Sequence, residues 1–299
     1  MASKQATSVW SRLRRRAADP EREQAAAAVP LTAERPERAD IADVRTHFAG
    51  FRQIAVVSPK GGDGKTTGAA CLATVMGTLR GGFVAAMDCN EAWGTLGLRT
   101  RRAKGAADFA DMLGALATLN RPDLRVGELA PYVQPQAEAM FDVLASGESP
   151  DTDQVLTEEA FWLLRDIVSR FYKVLIADTG NNIRVDNWLS VVSSSHQLVI
   201  TTRPHEDSLR SVMWMLDFLN SRGLGEVVSR AVTVITPSPD QTRTQLWHAE
   251  DELSARTRIV VPVPFDTELA GGGLVDFGRL EPATRRAWLR VAAEVAQGL

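Results

Sequence analysis

From residue 53 onward, short and almost continuously apolar runs alternate with longer amphipathic stretches. The runs are QIAVVS (53–58), FVAAMD (83–88), YKVLIAD (172–178), QLVITT (197–202), AVTVIT (231–236) and RIVVPV (258–263), with MFDVLAS (140–146) a seventh. A strand covered on both faces has no solvent side, so its residues do not alternate in polarity. Such runs predict strands buried in a parallel sheet. Between them, helical spacing predicts helices over 65–80, 105–119, 157–170, 184–194, 205–222, 242–255 and 282–297. The alternation predicts an α/β fold: a doubly wound, mostly parallel sheet with helices on both faces. No internal repeat is present.

Before residue 51 the pattern is different. Residues 1–16 carry Lys4, Arg12, Arg14, Arg15 and Arg16 and no acid. Residues 17–43 carry three arginines against seven acids, in an Ala- and Pro-containing context. That composition buries little and predicts a tether with transient helicity. The expected organisation is therefore a basic tip plus a flexible acidic, Ala/Pro-containing connector over 1–50, then the α/β domain over 51–299.

Composition narrows the class. With 299 residues, 44% apolar and 24% charged, the chain is long enough for one large α/β domain and an appendage. A net charge of −3 argues against a generic polyanion binder. No apolar run reaches the ~18 residues that span a bilayer. The basic N-terminus is not followed by the apolar core of an export signal. Cys71 and Cys89 lack metal-ligand spacing and fall in segments expected to be core. Together these point to the cytoplasm.

The chemistry-bearing stretch is SPKGGDGKTT, residues 58–67, between an apolar run and a helical stretch. Gly61, Gly62 and Gly64 let successive backbone N–H groups point into one concavity, and the following helix adds the positive end of its dipole. Lys65 is placed to reach the β- and γ-phosphates, and the Thr66 hydroxyl to ligate Mg²⁺. Lys60, Asp63 and Thr67 complete the loop. A second lysine at the first position and an acid in the middle depart from the commonest phosphate loop.

KGGDGKTT resembles the deviant phosphate loop of the partition and division-site ATPases, the ParA/MinD family. The resemblance covers roughly residues 51–298. It implies that Lys60 reaches across a dimer interface to the partner's nucleotide, while Lys65 serves its own. A lysine delivered in trans acts as an arginine finger does. Asp88, ending VAAMD, stands where the family places an acid for the attacking water. GTLG (94–97) resembles its switch segment, with Asn90 nearby. Asp178, ending VLIAD, stands where the family's Mg²⁺-contacting acid belongs. VPVPFDTEL (261–269) resembles the late loop that packs near the base, which implies base contacts from Pro264 and Phe265. Thr236 replaces an asparagine that reads adenine in many members, so ATP over GTP is left open. DCNEAWGTLGLR and GRLEPATRRAWLRVAAEVA look similar to the MinD-like ATPases found beside type VII secretion systems. Asp63 stands where the family is usually small or apolar; a carboxylate there is expected to slow turnover or to meet a basic group across the dimer.

The resemblance implies an ATPase using ATP and Mg²⁺, slow and partner-stimulated. It would form a homodimer in the ATP state and position or segregate DNA or a secretion or cell-pole machine. The alternatives are a non-hydrolysing nucleotide-binding scaffold and an ATP-licensed, non-specific DNA-binding partition protein. A DNA surface could draw on Arg203, Arg210, Arg243, Arg256 and Arg258. The chain lacks the tyrosine-rich tail of autokinases and the cysteine pairs of iron–sulfur carriers. The amphipathic stretch 282–299 is expected to be a closing core helix rather than a membrane foot. For the arm, Val9, Trp10 and Leu13 group at helical spacing among arginines. A disordered tail, an anionic-membrane foot, a DNA-backbone contact and a docking peptide all fit that pattern.

Overall fold

The computed structural model describes residues 35–90, 94–102, 107, 109–146 and 156–299. The basic tip and most of the connector lie outside the described residues. The strands are β1 (Arg52–Val57), β2 (Val84–Cys89), β3 (Gln134–Pro135), β4 (Asp142–Leu144), β5 (Val174–Thr179), β6 (Gln197–Thr202), β7 (Val232–Ile235) and β8 (Ile259–Pro262). They form one sheet in the order β3-β4-β2-β5-β1-β6-β7-β8. The short β3–β4 pair is antiparallel and the other pairings are parallel. The expected doubly wound, mostly parallel sheet is present.

The longer helices are α1 (Glu37–Val44), α2 (Lys65–Arg80), α3 (Glu158–Phe171), α4 (Asp186–Ser193), α5 (Glu206–Ser221), α6 (Arg243–Ser254) and α7 (Pro282–Gln297). Successive strand residues point to opposite faces. Ala55, Val57, Leu175, Ala177, Leu198 and Ile200 therefore meet α3, α4, α5 and α6 in one core layer. Ile54, Val56, Ile176, Val199 and Val234 meet α2 and α7 in the other. β2, β5 and β6 are buried along their whole length, which explains their unbroken apolar runs.

Three local differences from the sequence expectation have physical reasons. Of the helical stretch expected over 105–119, the described residues from 109 onward form two short helices, Phe109–Gly114 and Leu116–Leu119, broken beside Gly114. β3 is too short to leave a periodic signal. α1 lies inside the stretch expected to be a tether, but it is docked on the domain. Its Asp40 is fully buried against Arg35, Arg286 and Arg290, at 3.2, 2.6 and 3.0 Å. Arg80 donates to the carbonyls of Val44 and Thr46 and stacks on the Phe48 ring. The domain thus extends N-terminal to residue 51.

α7 closes the second layer. Trp288, Leu289, Val291, Ala292 and Val295 are buried on it, as expected of a core helix. Among the described residues no helix is long and apolar enough to cross a membrane.

Candidate functional site

The site lies at the carboxyl ends of the central strands, where β1 is flanked by β5 on one side and β6 on the other. In an open α/β sheet that crevice is where ligands bind. The chain leaves β1, turns through residues 58–64 and enters α2. Gly62 and Gly64 take φ of +85° and +82°, which only glycine adopts without strain. Gly64 is also the residue that caps α2, so the first N–H groups of the helix open onto the loop. A cleft of about 690 Å³ sits above it. Gly61, Gly62, Asp63, Gly64, Lys65, Thr66 and Thr67 all line this cleft.

The two lysines of the loop part company. Lys65 lines the cleft and its Nζ donates to Oδ1 of Asn181, in the loop after β5. Lys60 Nζ pairs instead with Asp207, in the first turn of α5. The direct partner of Asp63 is not Lys60. Its carboxylate is buried and accepts a 3.2 Å hydrogen bond from the Ser208 hydroxyl. Burial pushes this carboxyl up, opposed by the Ser208 bond and by the charges of Lys60 and Arg203.

Asp88 and Asp178 stand side by side at the ends of the paired strands β2 and β5. Both are almost fully buried. Burial raises both carboxyl pKa values, and the charge of Asp88 raises Asp178 further. Lys65 and the Thr66 hydroxyl pull Asp178 back down. Asp88 is held by its own loop, accepting from the backbone N–H of Asn90 and Leu96. Gly94 lies so close that a Cβ there would fall 1.5 Å from the Asp88 carboxylate. The switch-like segment is thereby pressed on the acid.

An anionic ligand with a hard cation fits this donor set. Asp178 Oδ1 is buried without a hydrogen-bond partner. The Thr66 hydroxyl is within reach of Thr95 Oγ1 at 3.3 Å, at the mouth of the same cleft. Mg²⁺ prefers carboxylate and hydroxyl oxygens, which these two residues supply.

On the far side the cleft is lined by Thr236, Val263, Phe265, Leu269 and Trp288. Pro264 is exposed and lies outside the lining. Two residues that sequence reasoning passed over converge here, Asn181 on Lys65 and Ser208 on Asp63, and so does Arg203, considered there only for DNA, whose Nε donates to the Gly62 carbonyl. The asparagine is legible in TGNN, directly after an apolar run. The contacts to α5 span about 145 residues of sequence and leave no such signal.

The fold is that of the ParA/MinD-type P-loop ATPases. A ParA family ATPase from Chlorobium tepidum superposes with a TM-score of 0.67 at 23% identity, covering 81% of this chain and 98% of that one. The septum site-determining protein MinD of Pyrococcus horikoshii, complexed with Mg-ADP, gives 0.62 at 19% identity, covering 81% and 94%. In sequence, the chain is similar to the ESX-1 secretion-associated protein EspI of Mycobacterium tuberculosis, 28% identical over 258 residues. That match covers 85% of this chain but only 38% of the length of EspI. No protein-family model matches the chain.

Proposed function

We propose that the chain is an ATP-dependent dimerising switch that hydrolyses ATP slowly, under stimulation by a partner protein, and so positions a macromolecular cargo. The observation that carries this is the division of labour in the phosphate loop. Lys65 sits in its own cleft, whereas Lys60 points out of it to α5. A cation at that place has catalytic use only when a second copy supplies the nucleotide opposite it.

Within one copy the roles follow from position. Loop N–H groups and Lys65 bind the phosphates. Thr66 and Asp178 hold Mg²⁺, which would neutralise charge on the phosphate oxygens. Asp88 orients the attacking water once its loop releases it. Lys60 of a second copy stabilises the charge that develops during transfer. Phe265, Thr236 and Trp288 form the wall on which the base rests.

The relatives' names bear on cargo. EspI is named for ESX-1 secretion, which favours a secretion machine over DNA. The arginines considered for DNA are also internally engaged: Arg203 with Gly62 and Ser238, Arg210 with Glu206, Arg256 with Asp217 and Arg258 with Glu294. DNA binding would then draw on residues 1–16 and fall steeply with salt.

The test is a titration with Mg·ATP, beside sedimentation. Wild type should bind and become dimeric with ATP. Lys65→Ala should lose roughly 10- to 100-fold in affinity, the worth of a charge-assisted hydrogen bond. Undiminished affinity in that variant would remove the site assignment. A wild type that stays monomeric with saturating ATP, at any concentration, would remove the switch.

A further inference from the structure

The phosphate loop is held at three points by the segment that leads into and begins α5. Asp207 takes Lys60, Arg203 donates to the Gly62 carbonyl at 3.2 Å, and Ser208 donates to Asp63 at 3.2 Å. These contacts differ in kind. The Lys60–Asp207 pair is open to solvent, with side-chain exposures of 38% and 70%. Such a pair is weak on its own and does not fix the geometry of two flexible side chains. The Asp63–Ser208 bond is buried: Asp63 is 4% exposed and Ser208 0%. An ionised carboxylate buried in a glycine loop is costly unless something holds it. Here Ser208 is its hydrogen-bond partner, and its second oxygen has none. Ser208 is also the residue next to Asp207, so whatever fixes Ser208 fixes the start of α5.

We propose that Asp63 is a positioning residue: through its buried bond to Ser208 it sets the first turn of α5 against the phosphate loop, so that Asp207 retains Lys60 within its own chain. An alanine or valine at this place would leave the turn without that brace. The device goes beyond the proposed switch and does not require it, because it acts in the nucleotide-free single chain. Its consequence is that release of Lys60 is coupled to movement of the loop around Asp63.

Lys60 availability reads this directly. The nucleotide-free protein is labelled with an amine-selective acylating reagent, and the rate at Lys60 is taken relative to exposed Lys173 by peptide mass spectrometry. Asp207→Ala should raise the Lys60 rate roughly two- to fivefold, the factor an exposed ion pair is worth. Asp63→Ala and Ser208→Ala should raise it by a similar factor. Asp63→Asn keeps an oxygen that accepts from Ser208 but loses the charge near Lys60, so its rate should rise less than that of Asp63→Ala. Asp63→Ala added to Asp207→Ala should give no further rise. Ser208→Ala removes one hydroxyl only, so it carries the test if Asp63→Ala does not fold. An unchanged Lys60 rate in Ser208→Ala overturns the proposal. So does an Asp63→Asn variant that behaves as Asp63→Ala, or an effect of Asp63→Ala that adds in full to that of Asp207→Ala.

Discussion

At the residue scale, the pair at the strand ends is the most heavily strained by charge. Asp88 and Asp178 are neighbours in register, buried, and pushed upward in pKa by desolvation. In the unfolded chain both titrate near the ordinary carboxylate value of about 3.9. As pH rises past that value the unfolded chain releases these protons while the fold still keeps them. The fold therefore holds more protons, and stability falls as pH climbs from about 4 toward the raised folded values near neutrality. The nucleotide-free protein should melt higher in mild acid than at neutral pH. Asp178→Asn should flatten that dependence and raise the melting temperature at neutral pH. Thermal melts from about pH 5 to 8 without nucleotide or Mg²⁺ check this; a wild-type melting temperature that rises over that range contradicts it.

At the element scale, α1 shows how an ion-pair cluster docks a helix that apolar periodicity does not announce. Its polar sequence offers only Ile41 and Val44, with Phe48 beyond it, to the core. Polar contacts add to this: Asp40 among three guanidinium groups, Arg80 on the carbonyls at the C-terminus of α1, Arg45 on the Leu79 carbonyl and Gln297 on Asp43. Asp40→Ala strips the shared acceptor and leaves Arg286 and Arg290 facing each other without it. The three guanidinium groups are partly exposed and keep Asp43, the Arg35 carbonyl and Glu294, so the cost should fall below the roughly 3–5 kcal/mol of an uncompensated buried charge. That should appear as a lower melting temperature and as faster amide hydrogen exchange confined first to residues 37–48. Protection of that segment unchanged from wild type would show that its apolar contacts alone hold it. Close packing sets a second limit on the same layer: a Cβ at Gly77 would come within 2.3 Å of the Ala139 carbonyl, so α2 accepts only glycine where it crosses that turn.

At the scale of the whole molecule, the two loop lysines should separate by mutation. Lys60→Ala leaves the cleft with its glycine loop, Lys65, Thr66 and Asp178. Affinity for ATP should change little. Turnover should fall by about 10²-fold or more, the usual loss when a charge-stabilising group is removed. ATP-dependent dimerisation should weaken as well. Asp88→Ala should lose turnover while the ATP dimer persists if, as proposed, that acid handles water rather than the interface. Turnover measured beside light scattering distinguishes the two. A rate per molecule that does not depend on protein concentration, with Lys60→Ala as active as wild type, would show that each copy works alone.

The sequence by itself determined the sheet and the phosphate loop. Strands buried on both faces leave unbroken apolar runs, and glycines between such a run and a helix mark a loop that can turn its N–H groups into one concavity; both signals are local. The loop itself singled out Lys65 and Thr66, and the family resemblance added Lys60, Asp88 and Asp178. What only the tertiary structure decided is what those groups touch. Asp88 and Asp178 are 90 residues apart in sequence and become neighbours because β5 inserts between β2 and β1. Lys60 and Asp63 lie three residues apart in one loop, and the sequence does not say what either will bond to. The fold gives one to Asp207 and the other to Ser208, because the first turn of α5 is brought against the loop from far along the chain. Local pattern records which face of an element is apolar. It does not record which distant polar group that element will meet, and at this site those meetings set the charge state of the acids and the direction of the lysine.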